Sequence, residues 1–108
     1  MMTAAIAFVA MRRLSIDAYV LDTLLPDLVG HDRKPAAFLV YLYLLGASER
    51  SNRASLAISL QEIAVRTGLA KSTVQGAIRH LKRRGLIDAK TVATTSQPIR
   101  RIMKPWTR

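Results

Sequence analysis

The sequence contains no cysteine, few aromatic residues and little acidic charge. The absence of cysteine excludes disulfide scaffolds, thiol catalysis and cysteine-bound zinc sites. Only His31 and His80 are available for histidine-based metal centres or catalytic relays. Aromatic residues make up 6% of the chain, too few for a single-strand binder built on rows of stacked bases. Paired carboxylates and phosphate-binding loops are also missing from the sequence, so we expect no enzyme activity, no cofactor and no metal.

Long apolar runs are also missing. The longest, Ala36 to Ala47, is too short to span a bilayer and predicts a buried helix. Near the N-terminus, Arg12 and Arg13 follow an apolar stretch, whereas the charges of a secretory signal precede it. We therefore expect a cytoplasmic protein with no membrane partner.

The charge that is present is strongly basic. The 108 residues, half of them apolar, suit one compact domain. Lys and Arg total 17 against 7 Asp and Glu, a net charge of +10, which points to a polyanionic partner. The excess is concentrated: residues 61–108 carry eleven basic and two acidic side chains, whereas residues 1–60 carry six and five.

We expect residues 1–34 to be an N-terminal extension that contains one helix. This extension is a candidate dimerisation element. Ser15 is placed to cap this helix, Pro26 should end or kink it, and Gly30 closes the segment. Pro35 suits the first turn of a second helix that is apolar nearly all round. Such a helix must be covered on more than one side, either by its own chain or by a second protomer.

Two short helices with a turn between them follow a short strand, SLAIS. Ser59 and Glu62 form an S-x-x-E capping box, so the first helix begins at Leu60, and Gly68 ends it. The second helix begins near Lys71 and is closed by a later glycine. Its residues at helical spacing form one apolar stripe: Val74, Ala77, Ile78 and Leu81. This arrangement is typical of a helix-turn-helix.

The spacing A-x3-G-x5-V of Ala64, Gly68 and Val74 carries a family resemblance. The string TGLAKSTVQGAIRHLKRRGLI resembles the recognition helix and following strand of bacterial winged-helix regulators of the MarR and GntR types. LIDAKTV and PIRRIMK would form the hairpin wing, with ATTSQ at its tip. The resemblance implies a mainly α fold with a small β-hairpin wing, a winged helix-turn-helix over residues 35–108. Ala70 departs from the family, which often has a capping Ser or Thr there.

The resemblance implies a transcriptional regulator that binds double-stranded DNA sequence-specifically. We expect this basic protein to be a homodimer associated with the nucleoid, and no small-molecule ligand is evident. Its recognition helix, about residues 71–84, would enter the major groove, and its wing, about 88–104, would lie on the backbone or minor groove. The expected base contacts are Ser72, Thr73, Gln75, Gly76 and Arg79. The expected backbone or wing contacts are Lys71, Lys82, Arg83, Arg84, Lys90, Arg100 and Arg101.

Two other functions stay open at this stage. A replication-initiation or plasmid-maintenance protein also uses a winged helix on DNA, and a winged helix can become a protein-interaction module. The high positive charge disfavours the second of these. We expect His80 to lie at the surface of the recognition helix. Outside the helix-turn-helix we expect Asp27, His31 and Asp32 as solvated turn residues, and Trp106 packed back onto the domain.

Overall fold

A long apolar helix, α1 (Pro35–Ser51), is the element on which the others pack. The computed structural model describes residues 13–90 and 98–107. Pro35 occupies the first turn of α1 as predicted, and Tyr41 and Leu44 in its middle are fully buried. The chain itself covers most of this helix, and Leu39 is its exposed large apolar residue, at 47%. No helix in the described ranges is long and apolar enough to cross a membrane.

The segment before α1 is helical but departs from the prediction. It contains two π-helical stretches, Val20–Leu24 and Pro26–His31. Ser15 lies ahead of the first helical turn and does not cap it, so that expectation was wrong. The helical conformation continues past Pro26, which begins the second stretch, so Pro26 does not end the helix. The physical reason is burial on the core: an apolar residue at every fourth position is buried there, each burial contributing about 1.5–3 kcal/mol. These residues are Val20, Leu24 and Leu28.

The strand β1 (Ser55–Ala57) and the helix α2 (Leu60–Thr67) follow the prediction closely. The Oγ of Ser59 accepts a hydrogen bond from the backbone N–H of Glu62 at 3.1 Å, as expected for the first half of a capping box. Gly68 ends α2 with φ 77°, and its N–H donates to the carbonyl of Ala64. Glycine adopts this left-handed conformation without steric cost, which explains the sharp turn into the next helix.

The second helix of the motif, α3, spans Lys71–Arg83. Ala70 stands at its N-cap without a side-chain hydrogen bond, so the helix starts where the prediction had it. The predicted apolar stripe is buried along its whole length. Gly85 has φ 72°, and its N–H donates to the carbonyl of Lys82 while that of Leu86 donates to Leu81, which is a Schellman ending.

The wing is anchored by its return strand, β2 (Ile99–Arg101), which pairs antiparallel with β1. Ser55 faces Arg101 in this register. On its other side the return strand meets the segment after α3 through a bridge between Ile87 and Ile102. The predicted hairpin tip, ATTSQ, lies outside the described residues.

The C-terminal aromatic residue returns to the core, as predicted. Trp106 stacks on Tyr19 with a ring-centroid distance of 4.8 Å and meets the edge of Tyr41 at 6.4 Å. Its Nε1–H donates to the carboxylate of Asp17 at 2.8 Å. The C-terminus and the N-terminal segment therefore pack together over α1.

Candidate nucleic-acid interface

The outward face of α3 lies opposite the buried stripe and is the first part of the interface. Because 3.6 residues complete a helical turn, burying Val74, Ile78 and Leu81 turns the remaining positions to solvent. Gly76 is half-buried there. The expected base-contacting side chains on this face are all exposed: Ser72, Thr73, Gln75 and Arg79.

Gly76 has no structural requirement for glycine. Its φ is not in the left-handed region, and a Cβ added there would have the Arg79 guanidinium as its nearest neighbour, at 3.8 Å. Glycine inside a helix costs about 1 kcal/mol relative to alanine. The described residues therefore give no structural reason for glycine at this position.

Several cations on α3 lack carboxylate partners. Lys71, Arg79 and Arg83 are exposed, and Lys82 is half-buried. None of these four forms an ion pair with a described carboxylate. Their charges remain available to an anionic partner.

Arg84, directly after α3, has a different environment. Its Nε lies 3.0 Å from a carboxylate oxygen of Asp32, and its Nη2 contacts Asp27. The sequence analysis expects this guanidinium to be free for phosphates, whereas the structure pairs it with two carboxylates. The difference arises because only the folded chain brings the N-terminal segment beside the end of α3.

His80 belongs to the same network. Its Nε2 lies 2.8 Å from Asp32 Oδ2, and Nδ1 of His31 lies 2.9 Å from Asp32 Oδ1. The side chain of His80 is 13% exposed and that of Asp32 9%, so neither is the solvated residue that was expected. Hydrogen bonds from His31 and then His80, together with the charge of Arg84, hold the pKa of Asp32 below its usual value.

The same residues satisfy the spacing of a metal site. Ligand atoms of Asp27, His31 and Asp32 lie within 4.8 Å of one another. Both carboxylates already accept from Arg84, and Asp32 also from the two imidazoles. The arrangement is that of an ion-pair network joining the N-terminal segment to α3.

On the wing, Arg100 departs from its expected position. It is 5% exposed, and its Nε donates to the carbonyl of Ile58 at 3.0 Å. Burial lowers its pKa. Alternation along β2 turns Arg100 inward and leaves Arg101 exposed, as Lys90 also is. The expectation of Arg100 as a surface contact was wrong, because its side chain points inward and donates to the Ile58 carbonyl instead of facing solvent.

Two basic residues near α3 were missed by the sequence reasoning. Arg33 and Lys34 line a cavity of about 300 Å³ whose other walls include Ser72, Thr73 and Gly76. They belong to a charged turn of four residues, HDRK, that had no assigned role. The charge of the turn was visible in the sequence, but its position beside α3 follows from the packing of α1 on α3.

A comparison with known protein families agrees with this arrangement of helices and strands. The sequence profile of the MarR family covers residues 34–98, more than half of the chain. Comparisons with curated proteins and with solved structures gave no match. The matched range runs from the start of α1 through α2 and α3 to the start of the return strand. Proteins of this family are regulators that act by binding DNA, and this chain belongs to the MarR family.

Proposed function

We propose that the protein is a sequence-specific regulator of transcription that binds double-stranded DNA with α3 in the major groove. The observation that carries this proposal is the outward face of α3, where Gln75 and Arg79 are exposed. The major groove accepts an α-helix and displays a different donor and acceptor pattern for each base pair. Gln75 is suited to an adenine edge and Arg79 to the paired acceptors of a guanine.

The remaining contacts divide by chemistry. Ser72 and Thr73 can donate to a base or a phosphate from the first turn of α3. The cations that stay exposed or half-exposed are assigned to the DNA backbone: Lys71, Lys82, Arg83, Lys90 and Arg101. Arg84 and Arg100 leave this set, because the first is paired with two carboxylates and the second is buried.

The active form is proposed to be a homodimer on a two-fold site in the cytoplasm, associated with the nucleoid. Exposed apolar residues recur every four positions along the N-terminal segment: Leu21, Leu25 and Val29. A second copy that covered this stripe would remove it from water, which supports the segment as a dimerisation element.

Selection of bound duplexes from a random pool, with the mass of the complex measured alongside, tests the proposal. We expect a palindromic sequence to be enriched and two chains to be present in the complex. Enrichment of a non-palindromic site by a single chain would contradict the dimer. Enrichment of no sequence would contradict specific binding.

A further inference from the structure

The HDRK turn before α1 brings two cations beside the recognition helix. Arg33 and Lys34 share a cavity wall with Ser72, Thr73 and Gly76. Both basic residues are exposed, and neither forms an ion pair with a described carboxylate. Two uncompensated positive charges therefore lie next to the side chains proposed to read bases.

The adjacent acid does not neutralise them. The carboxylate of Asp32 is held by His80 at 2.8 Å and by the Nε of Arg84 at 3.0 Å. Both partners lie at the C-terminal end of α3, whereas the cavity opens at its N-terminal half. Asp32 thus attaches the turn to the C-terminal end of α3, and the cations Arg33 and Lys34 lie beside its N-terminal half.

We propose that Arg33 and Lys34 contact phosphates of the DNA strand bordering the groove that α3 enters. The inference rests on the proposed function. A helix in the major groove runs between the two phosphate backbones, so cations beside its N-terminal half face one of them. Phosphate contacts fix the register of a protein on the duplex without reading sequence. In this position, Arg33 and Lys34 hold the N-terminal half of α3 against the groove.

Salt dependence of binding measures such contacts directly, because each neutralised phosphate releases counterions. The test compares a double variant, Arg33→Gln with Lys34→Gln, with a matched control, Arg13→Gln with Arg50→Gln. Both control residues are exposed, neither lines the cavity beside α3, and their replacement removes the same net charge. Affinity for a duplex selected by the wild-type protein is measured between about 50 and 200 mM salt.

The expected result is a salt slope that is smaller by about two in the double variant, roughly one for each lost contact. Raising the salt fourfold then costs the variant roughly tenfold less affinity than it costs the wild type. The control variant keeps the wild-type slope. Each single variant should lose about half of the change, and thermal melts should show that all variants are folded.

A double variant with the wild-type slope overturns this inference and leaves the proposed function intact. An equal loss of slope in the control also overturns it, because the effect would then be one of net charge. Stabilisation of the wild-type protein by inorganic phosphate, lost in the double variant without a change in slope, would mean that the cavity takes a small anion instead. Wild-type protein that selects no sequence overturns the proposed function and this inference together.

Discussion

Arg79 and Arg84 belong to the same helical region and differ completely in their surroundings. Arg79 is exposed and has no carboxylate partner among the described residues, whereas Arg84 contacts both Asp27 and Asp32. Two arginine side chains within one basic stretch therefore have different roles. One arginine is available to a ligand, and the other attaches the N-terminal segment to the recognition helix.

The contrast extends along the whole of α3. Its inner side and its C-terminal end are held by the apolar stripe, His80 and Arg84, and we call these residues the anchored part. Its outer side carries Gln75, Gly76 and Arg79, which we call the free part. Changes in the anchored part should lower stability, whereas changes in the free part should alter DNA binding without lowering stability.

The largest effect is expected in the anchored part at Ile78, which is 4% exposed. Ile78→Ala leaves a cavity in the core and should lower the free energy of unfolding by roughly 2–5 kcal/mol. Urea denaturation monitored by circular dichroism measures the loss. As a control, Val65→Ala on α2 removes a side chain that is 68% exposed and should change stability little. A near-neutral Ile78→Ala would mean that α3 is rotated about its axis.

A smaller loss is expected from Asp32→Asn, which disconnects the N-terminal segment from α3. Hydrogen bonds to charged groups contribute about 1.5–3 kcal/mol each, and the amide keeps part of the network, so we expect a net loss of about 1–3 kcal/mol. Asp22→Asn is the matched control, because Asp22 is an exposed acid on the same segment without a described ion pair.

The network also predicts a pH dependence. The pKa of Asp32 is lower in the folded protein than its ordinary value of 3.8. Its contribution is therefore complete above that value and is lost as the pH falls through the folded pKa. Urea titrations from pH 7 down to about 2 should show the difference between wild type and Asp32→Asn disappearing at the acid end. A difference that persisted there would assign the effect to packing.

In the free part, Arg79→Lys tests base reading. Lysine keeps the charge and loses the planar fork that matches guanine, so discrimination at one base pair should fall by about 1–3 kcal/mol. Stability and the salt slope should stay at wild-type values. Competition binding with single-base variants of the selected duplex measures the change. Equal weakening on every sequence would show that Arg79 positions the protein and does not read it.

Of the features that separate the anchored part from the free part, only those that depend on neighbouring residues in the sequence could be predicted. The cap at Ser59, the turn at Gly68 and the buried stripe depend on neighbours a few residues away, and the pattern of the sequence is enough to find them. The pairing of Arg84 with Asp27 joins residues that are 57 positions apart in the sequence, so no local spacing indicates it. The inward position of Arg100 follows from the register of β2 on β1, which depends on long-range pairing.

The continuation of the N-terminal helix past Pro26 has a related cause. Proline predicts an ending when local propensity decides, but burial of Val20, Leu24 and Leu28 in the core decided here. The same tertiary packing brings the HDRK turn to α3. Sequence patterns identified the helix-turn-helix and the return strand, whereas the described part of LIDAKTV forms only a bridge at Ile87. The contacts between elements determined which charges remain free.

Gly76→Ala should have a small, stabilising effect, and it tests whether the backbone of α3 approaches DNA closely. Apart from the neighbouring residues and the backbone of α3 itself, the nearest described atom to the added Cβ is the Arg79 guanidinium at 3.8 Å, so the helix should gain about 0.5–1 kcal/mol. Gly68→Ala is the control, because its φ of 77° makes the same substitution destabilising. If the backbone at 76 approaches DNA closely, the more stable variant should bind the selected duplex more weakly. A variant that gains stability and keeps wild-type affinity would remove Gly76 from the contact surface, because a methyl group cannot be added to a closely packed interface without weakening it.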